Sequence, residues 1–244
     1  MIIVTVRTLN EENNITPFIL AYENIADKIL VADGGSEDDT LASLALLTKH
    51  HDVDVRHFTE RTEMENGYWR NNDADHINFL VDWAKEYEPD WIIHDDCDSR
   101  PNSMLCRHGR FFLEQTDKNV VMTCRVYLFG EDRHFPHMMH LKPVEADNYM
   151  TSLWAWRPST GLWFDDLPPA YTVMLGEKIA GDLHETEEVL DLMPPYGLLH
   201  YTWEDEEQIA AKIKVYKESG LIPHQKHPLQ FAGPLKPLPE WAHE

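Results

Sequence analysis

The sequence predicts an α/β protein in which a mostly parallel central sheet is covered by helices. Short apolar segments alternate with amphipathic segments through the first hundred residues, a pattern typical of strand–helix–strand units. One apolar segment ends abruptly in three carboxylates, as a strand does where a sheet meets solvent. The 244 residues, 43% of them hydrophobic, are enough to bury one sizeable core.

The alternation is clearest in the first half of the chain. Apolar runs predict strands over 1–7, 28–32 and 91–93, and 53–58 is a further strand candidate. Apolar residues at helical spacing predict helices over 15–25 and 72–86. The turn after the second strand contains Gly34 and Gly35, and Ser36 can cap the helix that follows.

The second half has a different character. Segment 124–169 is rich in Trp, Met, His and Pro and weakly periodic, which predicts irregular strands and substrate-shaping loops or, alternatively, a peripheral insertion. Segment 204–219 predicts a helix, with Ile209 and Ile213 on one face and Gly220 as its stop signal. The proline-rich segment 221–244 predicts an extended strap or a disordered end.

Net charge, hydropathy and cysteine content argue against several classes of protein. The formal net charge of −22 argues against broad, charge-driven binding to nucleic acid or anionic membrane, which needs a basic surface. No apolar run approaches the roughly 20 residues that span a bilayer, and the first residues predict a strand rather than a signal peptide. Three cysteines without metal-ligand spacing indicate a reducing compartment, so we expect a cytoplasmic protein.

The acidic end of the fourth predicted strand is the most informative segment. Asp95, Asp96 and Asp98 come just after the apolar run 91–93 and His94. Ligands of open α/β sheets bind beyond the carboxyl ends of the strands, and clustered carboxylates there suit a divalent cation with phosphates attached. The alternative is that these aspartates cap the next helix or lie in an acidic loop.

Four blocks of the sequence occur in a fixed order. They are Arg7-Thr8-Leu9-Asn10-Glu11-Glu12-Asn13-Asn14-Ile15; Ile29-Leu30-Val31-Ala32-Asp33-Gly34-Gly35-Ser36-Glu37-Asp38-Asp39-Thr40; Trp69-Arg70-Asn71-Asn72 with Trp91-Ile92-Ile93-His94-Asp95-Asp96-Cys97-Asp98; and Leu183-His184-Glu185 with Leu198-Leu199-His200-Tyr201 and 212–216. In this order the blocks resemble the family 2 glycosyltransferases of the GT-A fold, close to small bacterial and phage members. They cover about 1–102 and 180–220. The chain departs from the family pattern at Gly34, where many members have a second aspartate, and at Ser99, where many have glutamate.

The resemblance implies the GT-A fold, a Rossmann-like nucleotide-sugar-binding architecture. It implies a single domain over 1–220, with a donor-binding half at 1–102 and an acceptor-binding half at 103–220, followed by the tail 221–244. It also implies metal-dependent, inverting transfer of a sugar from a nucleotide-sugar, with UDP as the expected nucleotide, to an acceptor hydroxyl.

The resemblance further assigns roles to individual residues. It implies that Thr8, Asn10, Glu11 and Asp33 bind the base and ribose of the donor, and Asp33 has the alternative of a plain turn and helix cap. Asp96 is expected near the ribose and the metal. The implied ligands of Mn²⁺ or Mg²⁺ are Asp96, Asp98 and His200, and His200 could instead be a core histidine.

Two residues are candidates for the chemical step. The resemblance implies that Glu185 is the base that deprotonates the acceptor hydroxyl, with Asp165 and Asp166 in reserve, although Glu185 could instead supply only charge at a helix N-terminus. Arg70 is expected on the donor diphosphate, where a guanidinium offsets charge as the glycosidic bond breaks, although it could instead form a surface ion pair.

The acceptor is predicted to lie beside the tryptophan-rich segment 153–163. Trp154, Trp156 or Trp163 could stack on a sugar ring or a flipped base, with Arg157 nearby, although core packing is the default for aromatic side chains. The acidic charge favours a carbohydrate over a hydroxylated DNA base.

Three other functions remain open. A nucleotidyltransferase of similar fold is disfavoured because loop 8–12 is acidic rather than glycine-rich and basic. A phosphohydrolase is disfavoured because no His–Asp spacing recurs. A sugar-nucleotide-binding protein without catalytic activity is the third.

Overall fold

In the computed structural model, the described residues are 1–59, 61–63, 69–71, 73–129, 133–134, 150–165, 172–175, 178–179, 189–203, 236–237 and 240–242. The elements of the first half are β1 (Ile2–Thr8), α1 (Ile15–Tyr22), β2 (Lys28–Asp33), α2 (Thr40–Leu47), β3 (Val53–His57), β4 (Arg61–Glu63), β5 (Trp69–Asn71), α3 (Asp73–Lys85), β6 (Trp91–His94), β7 (Ser99–Pro101) and α4 (Ser103–Gln115). Those of the second half are β8 (Val120–Phe129), β9 (Arg133–His134), β10 (Met150–Trp156), β11 (Leu162–Asp165), β12 (Thr172–Leu175), β13 (Lys178–Ile179), β14 (Val189–Trp203) and β15 (Lys236–Pro237).

Ten of the described strands form one mixed sheet. Its first part is parallel, because β1 lies between β2 and β6 and β2 also pairs with β3. Beyond β6 the sheet continues through the antiparallel strands β10 and β8. The long strand β14 pairs parallel with β8 and antiparallel with β7, so it returns the chain to the end of β6.

Alternating side chains of the parallel strands feed two cores, one on each face of the sheet. Val4 and Ile93 face a core that includes Phe18 of α1 and Leu105 of α4. Ile3 and Ile92 face the opposite core, which includes residues of α3 and β11. Strands that are buried on both faces are apolar at consecutive positions, which explains the uninterrupted apolar runs in the sequence.

Asn102 joins three parts of the structure. Its side-chain oxygen accepts from the Leu105 backbone N–H at 2.9 Å and thereby caps α4. Its amide nitrogen donates to the carbonyl oxygens of Pro195 in β14, at 2.7 Å, and of Trp241, at 2.9 Å. The segment around Trp241 is therefore held against α4 and β14.

The predicted elements of the first half are present, with ends shifted by a few residues. Within the described part of segment 124–169, β10 pairs with β8 in a regular antiparallel ladder that has one irregularity, between Leu153 and Ala155. The loops predicted for this segment fall largely on 130–132, 135–149 and 166–169, which lie outside the described residues. The predicted helix over 204–219 lies outside the described residues. None of the helices in the described ranges has the length and apolar character needed to cross a bilayer.

The prediction that Trp154 or Trp156 stacks on an acceptor is wrong. Trp154 is 0% exposed and Trp156 is 1% exposed, and each packs in one of the two cores. Arg157 lies over the ring of Trp91 at 4.4 Å, at the beginning of β6 and thus at the opposite edge of the sheet from Asp96. Of the three tryptophans, Trp163 has the accessible side chain, at 39% exposed.

Candidate functional site

The carboxyl ends of β1, β2 and β6 meet at one edge of the sheet. Thr8 at the end of β1 pairs in register with Asp33 at the end of β2. Thr5 pairs on its other side with His94, the last residue of β6. The acidic turn that follows β6 therefore lies beside the loops that follow β1 and β2, as expected for a ligand site of an open α/β sheet.

Asp96, Asp98 and His200 come together at this edge. One potential ligand atom from each lies within 4.8 Å of the others, and His200 Nδ1 lies 3.6 Å from Asp98 Oδ1. The pairing of β14 with β7 places His200 opposite Ser99, and the Tyr201 N–H donates to the Asp98 carbonyl at 2.7 Å. The side chains of Asp96 and Asp98 are 21% and 16% exposed, so both carboxylates remain reachable from solvent.

These three side chains fit a divalent cation. Two carboxylates and one imidazole match the oxygen ligands of Mg²⁺ or Mn²⁺ with one nitrogen added, and the nitrogen favours Mn²⁺ of the two. Within the described residues, this is the one group of three or more acidic, histidine or cysteine side chains close enough together to hold a metal ion. The three metal ligands expected from the sequence are thus brought together.

Two arginines flank Asp96. Arg7 Nη2 lies 3.5 Å from Asp96 Oδ1, and Arg125 Nη1 lies 3.4 Å from Asp96 Oδ2. Burial alone disfavours the charged form of Asp96, but the two guanidinium groups outweigh it and hold the pKa of this carboxyl well below its usual range. Asp96 is therefore ionised at neutral pH.

Asp95 is not part of the cation cluster, and its carboxylate instead accepts hydrogen bonds from other protein groups. Its Oδ2 accepts from the Tyr22 hydroxyl at 2.7 Å, and its Oδ1 accepts from Arg125 Nη2 at 2.8 Å. The Asp96 backbone N–H also donates to Oδ1, at 3.0 Å. Burial raises the pKa of Asp95 to about 6, although Arg125 favours the charged form.

No local pattern in the sequence assigns Arg125 or Tyr22 to this site. Both lie inside regular elements, β8 and α1, and far along the chain from residue 95. A charged residue within the apolar strand β8 is the one signal that could have drawn attention to Arg125, because a buried charge requires a partner. Arg7 belongs to the first of the four sequence blocks, but the resemblance implies no role for it.

Two buried histidines lie close to the same edge. His94 Nδ1 lies 3.0 Å from the Thr5 hydroxyl, which itself donates to the Ile93 carbonyl at 3.0 Å. His76 Nε2 lies 3.1 Å from the carbonyl of Ala32 in β2. Burial lowers the pKa of His94 to about 3 and that of His76 to about 4, so both imidazoles are neutral at pH 7.

Asp33 is fully buried, and both of its oxygens accept hydrogen bonds within the protein. Oδ1 accepts from the backbone N–H groups of Gly35 and Ser36, at 2.9 and 3.0 Å. Oδ2 accepts from the hydroxyls of Thr8 and Ser36, at 3.2 and 2.6 Å. These contacts are those of a turn that holds the loop after β2 against β1.

Asn10 and Glu11 tie the loop after β1 to the loop after β2. The Asn10 side chain accepts from the Glu37 N–H at 2.8 Å, and its own N–H donates to the Ser36 hydroxyl at 2.9 Å. The Glu11 N–H donates to the hydroxyl of Thr40 at 2.7 Å. Asn10 has a φ of 58°, a left-handed conformation that asparagine tolerates better than most residues.

The remaining predicted site residues are not assembled by the described structure. Arg70 lies on β5, opposite Thr62 on β4, and its side chain is outside the described part. Glu185 and Asp166 also fall outside the described residues, while Asp165 is the last residue of β11. Their expected roles in the chemical step stay predictions.

Comparison with known proteins gives matches in structure but not in sequence. No family model matches the chain, and no curated protein matches it. The crystal structure of S. aureus TarS 1–349 in complex with UDP-GlcNAc is similar with a TM-score of 0.55 and 14% identity over 85% of this chain and 60% of that one. The same TarS segment without a named ligand gives 0.51 and 15% over 93% and 67%, and its complex with UDP gives 0.50 and 15% over 81% and 60%.

At these identities the likeness concerns the fold. The chain spans about 60% of the length of the TarS segment it matches first. The shared architecture is a mixed, mostly parallel sheet flanked by helices, of the GT-A type. The fold class predicted from the sequence is therefore confirmed: this chain has the GT-A fold.

Proposed function

We propose that this protein is a metal-dependent glycosyltransferase that moves one sugar from a nucleotide-sugar to an acceptor hydroxyl with inversion at the anomeric carbon. The observation that carries the proposal is the Asp96–Asp98–His200 cluster at the carboxyl edge of a GT-A sheet. The TarS structures of similar fold are described with UDP-GlcNAc and with UDP. A UDP-sugar is therefore the donor we assign.

Asp98, Asp96 and His200 would hold Mn²⁺ or Mg²⁺. A cation bound there supplies Lewis-acid chemistry that neutralises the charge of a departing nucleoside diphosphate. The low pKa of Asp96 supports this assignment, because a carboxylate must be ionised to bind a metal.

The nucleoside is assigned to the loops that follow β1 and β2. Thr8 and Asp33 fix the two loops against each other, and Asn10 and Glu11 extend that connection toward solvent. In this proposal the loops form a rigid frame for base and ribose, and Arg70 contacts the diphosphate.

For the chemical step, Glu185 is assigned as the base that takes the proton from the acceptor hydroxyl while its oxygen attacks the anomeric carbon. Attack from the side opposite the diphosphate gives inversion. A carbohydrate is the preferred acceptor, because a chain with a net charge of −22 disfavours the approach of a polyanion. Trp163, which is 39% exposed, is the tryptophan available to stack on a sugar ring.

The test begins with calorimetry of UDP binding in Mn²⁺ and in EDTA, followed by hydrolysis and transfer assays with a panel of UDP-sugars. Asp98→Asn is expected to abolish metal-dependent UDP binding while its thermal unfolding in EDTA matches the wild type. Asp82→Asn is the matched control, because Asp82 is exposed on α3 and pairs with Lys85 instead.

Glu185→Gln separates an enzyme from a binding protein. An enzyme keeps its affinity for UDP and loses turnover, whereas a sugar-nucleotide-binding protein has no turnover to lose. Wild-type protein that binds no nucleotide in either buffer would overturn the proposal. Transfer to hydroxylated DNA but to no carbohydrate would replace the assigned acceptor.

A further inference from the structure

The three carboxylates after β6 differ in their surroundings. Asp96 and Asp98 are partly open to solvent and lie next to His200, whereas Asp95 is completely buried. We propose that Tyr22, Asp95 and Arg125 form a buried positioning unit that fixes the Asp96 carboxylate for cation binding. This inference rests on the proposed function, because it concerns the same cation site.

The first support for the positioning unit is that Asp95 has hydrogen-bond partners on both oxygens. Tyr22, which is also fully buried, donates to Oδ2, and Arg125 and the Asp96 N–H donate to Oδ1. Asp95 is therefore hydrogen-bonded directly to the backbone of Asp96. With its lone pairs directed at these donors, Asp95 serves as an anchor rather than as a cation ligand.

The second support is the geometry of Arg125. One terminal nitrogen of its guanidinium reaches Asp95 at 2.8 Å, and the other reaches Asp96 at 3.4 Å. A planar guanidinium can hold two carboxylates in a fixed relative orientation, which the single ammonium of lysine does not do. Because the Arg125 side chain is only 11% exposed, solvent screens these contacts weakly.

The third support is energetic. A buried charge pair recovers its desolvation cost only with good geometry and additional hydrogen bonds, and apolar residues of similar volume serve stability as well or better. Residues that orient metal ligands, in contrast, commonly change metal affinity by about 10- to 100-fold when they are replaced. A buried Tyr22–Asp95–Arg125 chain that ends on the candidate ligand Asp96 is therefore better explained by ligand orientation than by stability.

The experiment measures Mn²⁺ affinity of the full chain by electron paramagnetic resonance of free Mn²⁺, without nucleotide. The variants are Tyr22→Phe, which removes one hydroxyl, and Arg125→Lys, which keeps the positive charge but removes the planar guanidinium that contacts both carboxylates. Tyr87→Phe is the matched control, because the Tyr87 hydroxyl donates to a carboxylate oxygen of Asp54 at 2.8 Å, away from the cation site.

For Arg125→Lys we expect Mn²⁺ affinity to fall by about tenfold or more, and for Tyr22→Phe to fall by a smaller factor. Tyr87→Phe is expected to bind Mn²⁺ as the wild type does. Excess Mn²⁺ should restore UDP binding in both variants. Loss of the fold would instead lower the binding-competent fraction at every Mn²⁺ concentration, and unfolding in EDTA detects it directly.

The outcomes separate this inference from the proposed function. If the wild type binds Mn²⁺ and UDP and both variants match it, the positioning unit is refuted and the proposed function stands. If the wild type binds UDP but binds no Mn²⁺, the cation site and the positioning unit are both refuted, and donor binding is retained. Variants that lose UDP binding irrespective of Mn²⁺ would also refute the positioning role.

Discussion

His200 Nδ1 lies 3.6 Å from an oxygen of Asp98, although the two residues belong to opposite halves of the chain. The contact depends on β14, which pairs with β7 so that His200 stands opposite Ser99. Tyr127 of β8 packs edge-on against the imidazole, with ring centroids 4.7 Å apart. The second half of the sheet thus completes a site that the first half begins.

His200→Ala is expected to weaken Mn²⁺ binding by about tenfold or more, since losing one of three protein ligands costs at least as much as losing a residue that orients a ligand. His200→Asn, which keeps a polar atom near the site, should lose less. Titration calorimetry with Mn²⁺ measures both. Equal affinity in the wild type and both variants would make His200 a core histidine that lies near Asp98 without binding the cation.

Thr5→Val is expected to destabilise the protein by about 1–3 kcal/mol, because the buried His94 Nδ1 and the Ile93 carbonyl lose their partner while the shape stays similar. Urea unfolding measures the difference. Thr48→Val is the control, since the Thr48 hydroxyl makes one exposed contact at the end of α2, and we expect little change. Identical midpoints for Thr5→Val and the wild type would contradict the buried network.

Stability should fall as the pH is lowered from about 6.5 toward 4. Burial lowers the pKa of His76 to about 4 in the folded protein. Between these pH values His76 is therefore protonated in the unfolded chain but neutral in the folded protein, and protonation favours unfolding. The loss from this residue amounts to at most about 3 kcal/mol. His76→Gln should flatten the pH profile of urea unfolding between these limits, whereas His50→Gln, at an exposed position, should not. Parallel profiles for His76→Gln and the wild type would contradict the prediction.

Gly109→Ala should destabilise the protein even though alanine is the better helix former by about 1 kcal/mol. A Cβ at this position in α4 would lie 2.8 Å from Cη2 of the buried Trp154, and overpacking of this kind costs about 1–3 kcal/mol. The net change in unfolding free energy therefore depends on the contact between the added methyl group and the Trp154 indole. Adding Trp154→Phe should make the effect of Gly109→Ala smaller than in the wild-type background, which a double-mutant cycle measures.

The centre of the parallel half was predictable because β1, β2 and β6 are buried on both faces and are largely apolar at consecutive positions. The acidic turn was predictable for a related reason, because carboxylates that come soon after such a run are expected where the strand ends, at the edge of the sheet. His200 was predictable as a ligand only from the family resemblance, since nothing local in 198–201 distinguishes a metal ligand from a core histidine.

The rest of the site depends on contacts between distant segments. Tyr22 and Arg125 reach Asp95 from α1 and β8, and no spacing in the sequence reports such proximity. The two misassigned tryptophans illustrate the same difficulty. An aromatic side chain suits a core as well as a sugar site, and only the packing of β10 against the helices and β11 decides between them for Trp154 and Trp156.

The Asn102 side chain has a consequence for work with shortened versions of the protein. Removing the residues around Trp241 would strip one acceptor from Asn102 and uncover Gly197, where an added Cβ would lie only 2.5 Å from the Trp241 ring. Gly197 lies three residues before His200 on the same strand. A truncation that looks harmless in the sequence would therefore loosen the strand that carries a candidate ligand. Weak metal binding by such a fragment would reflect the loss of the Trp241 contacts with Asn102 and Gly197 rather than the chemistry of the intact protein.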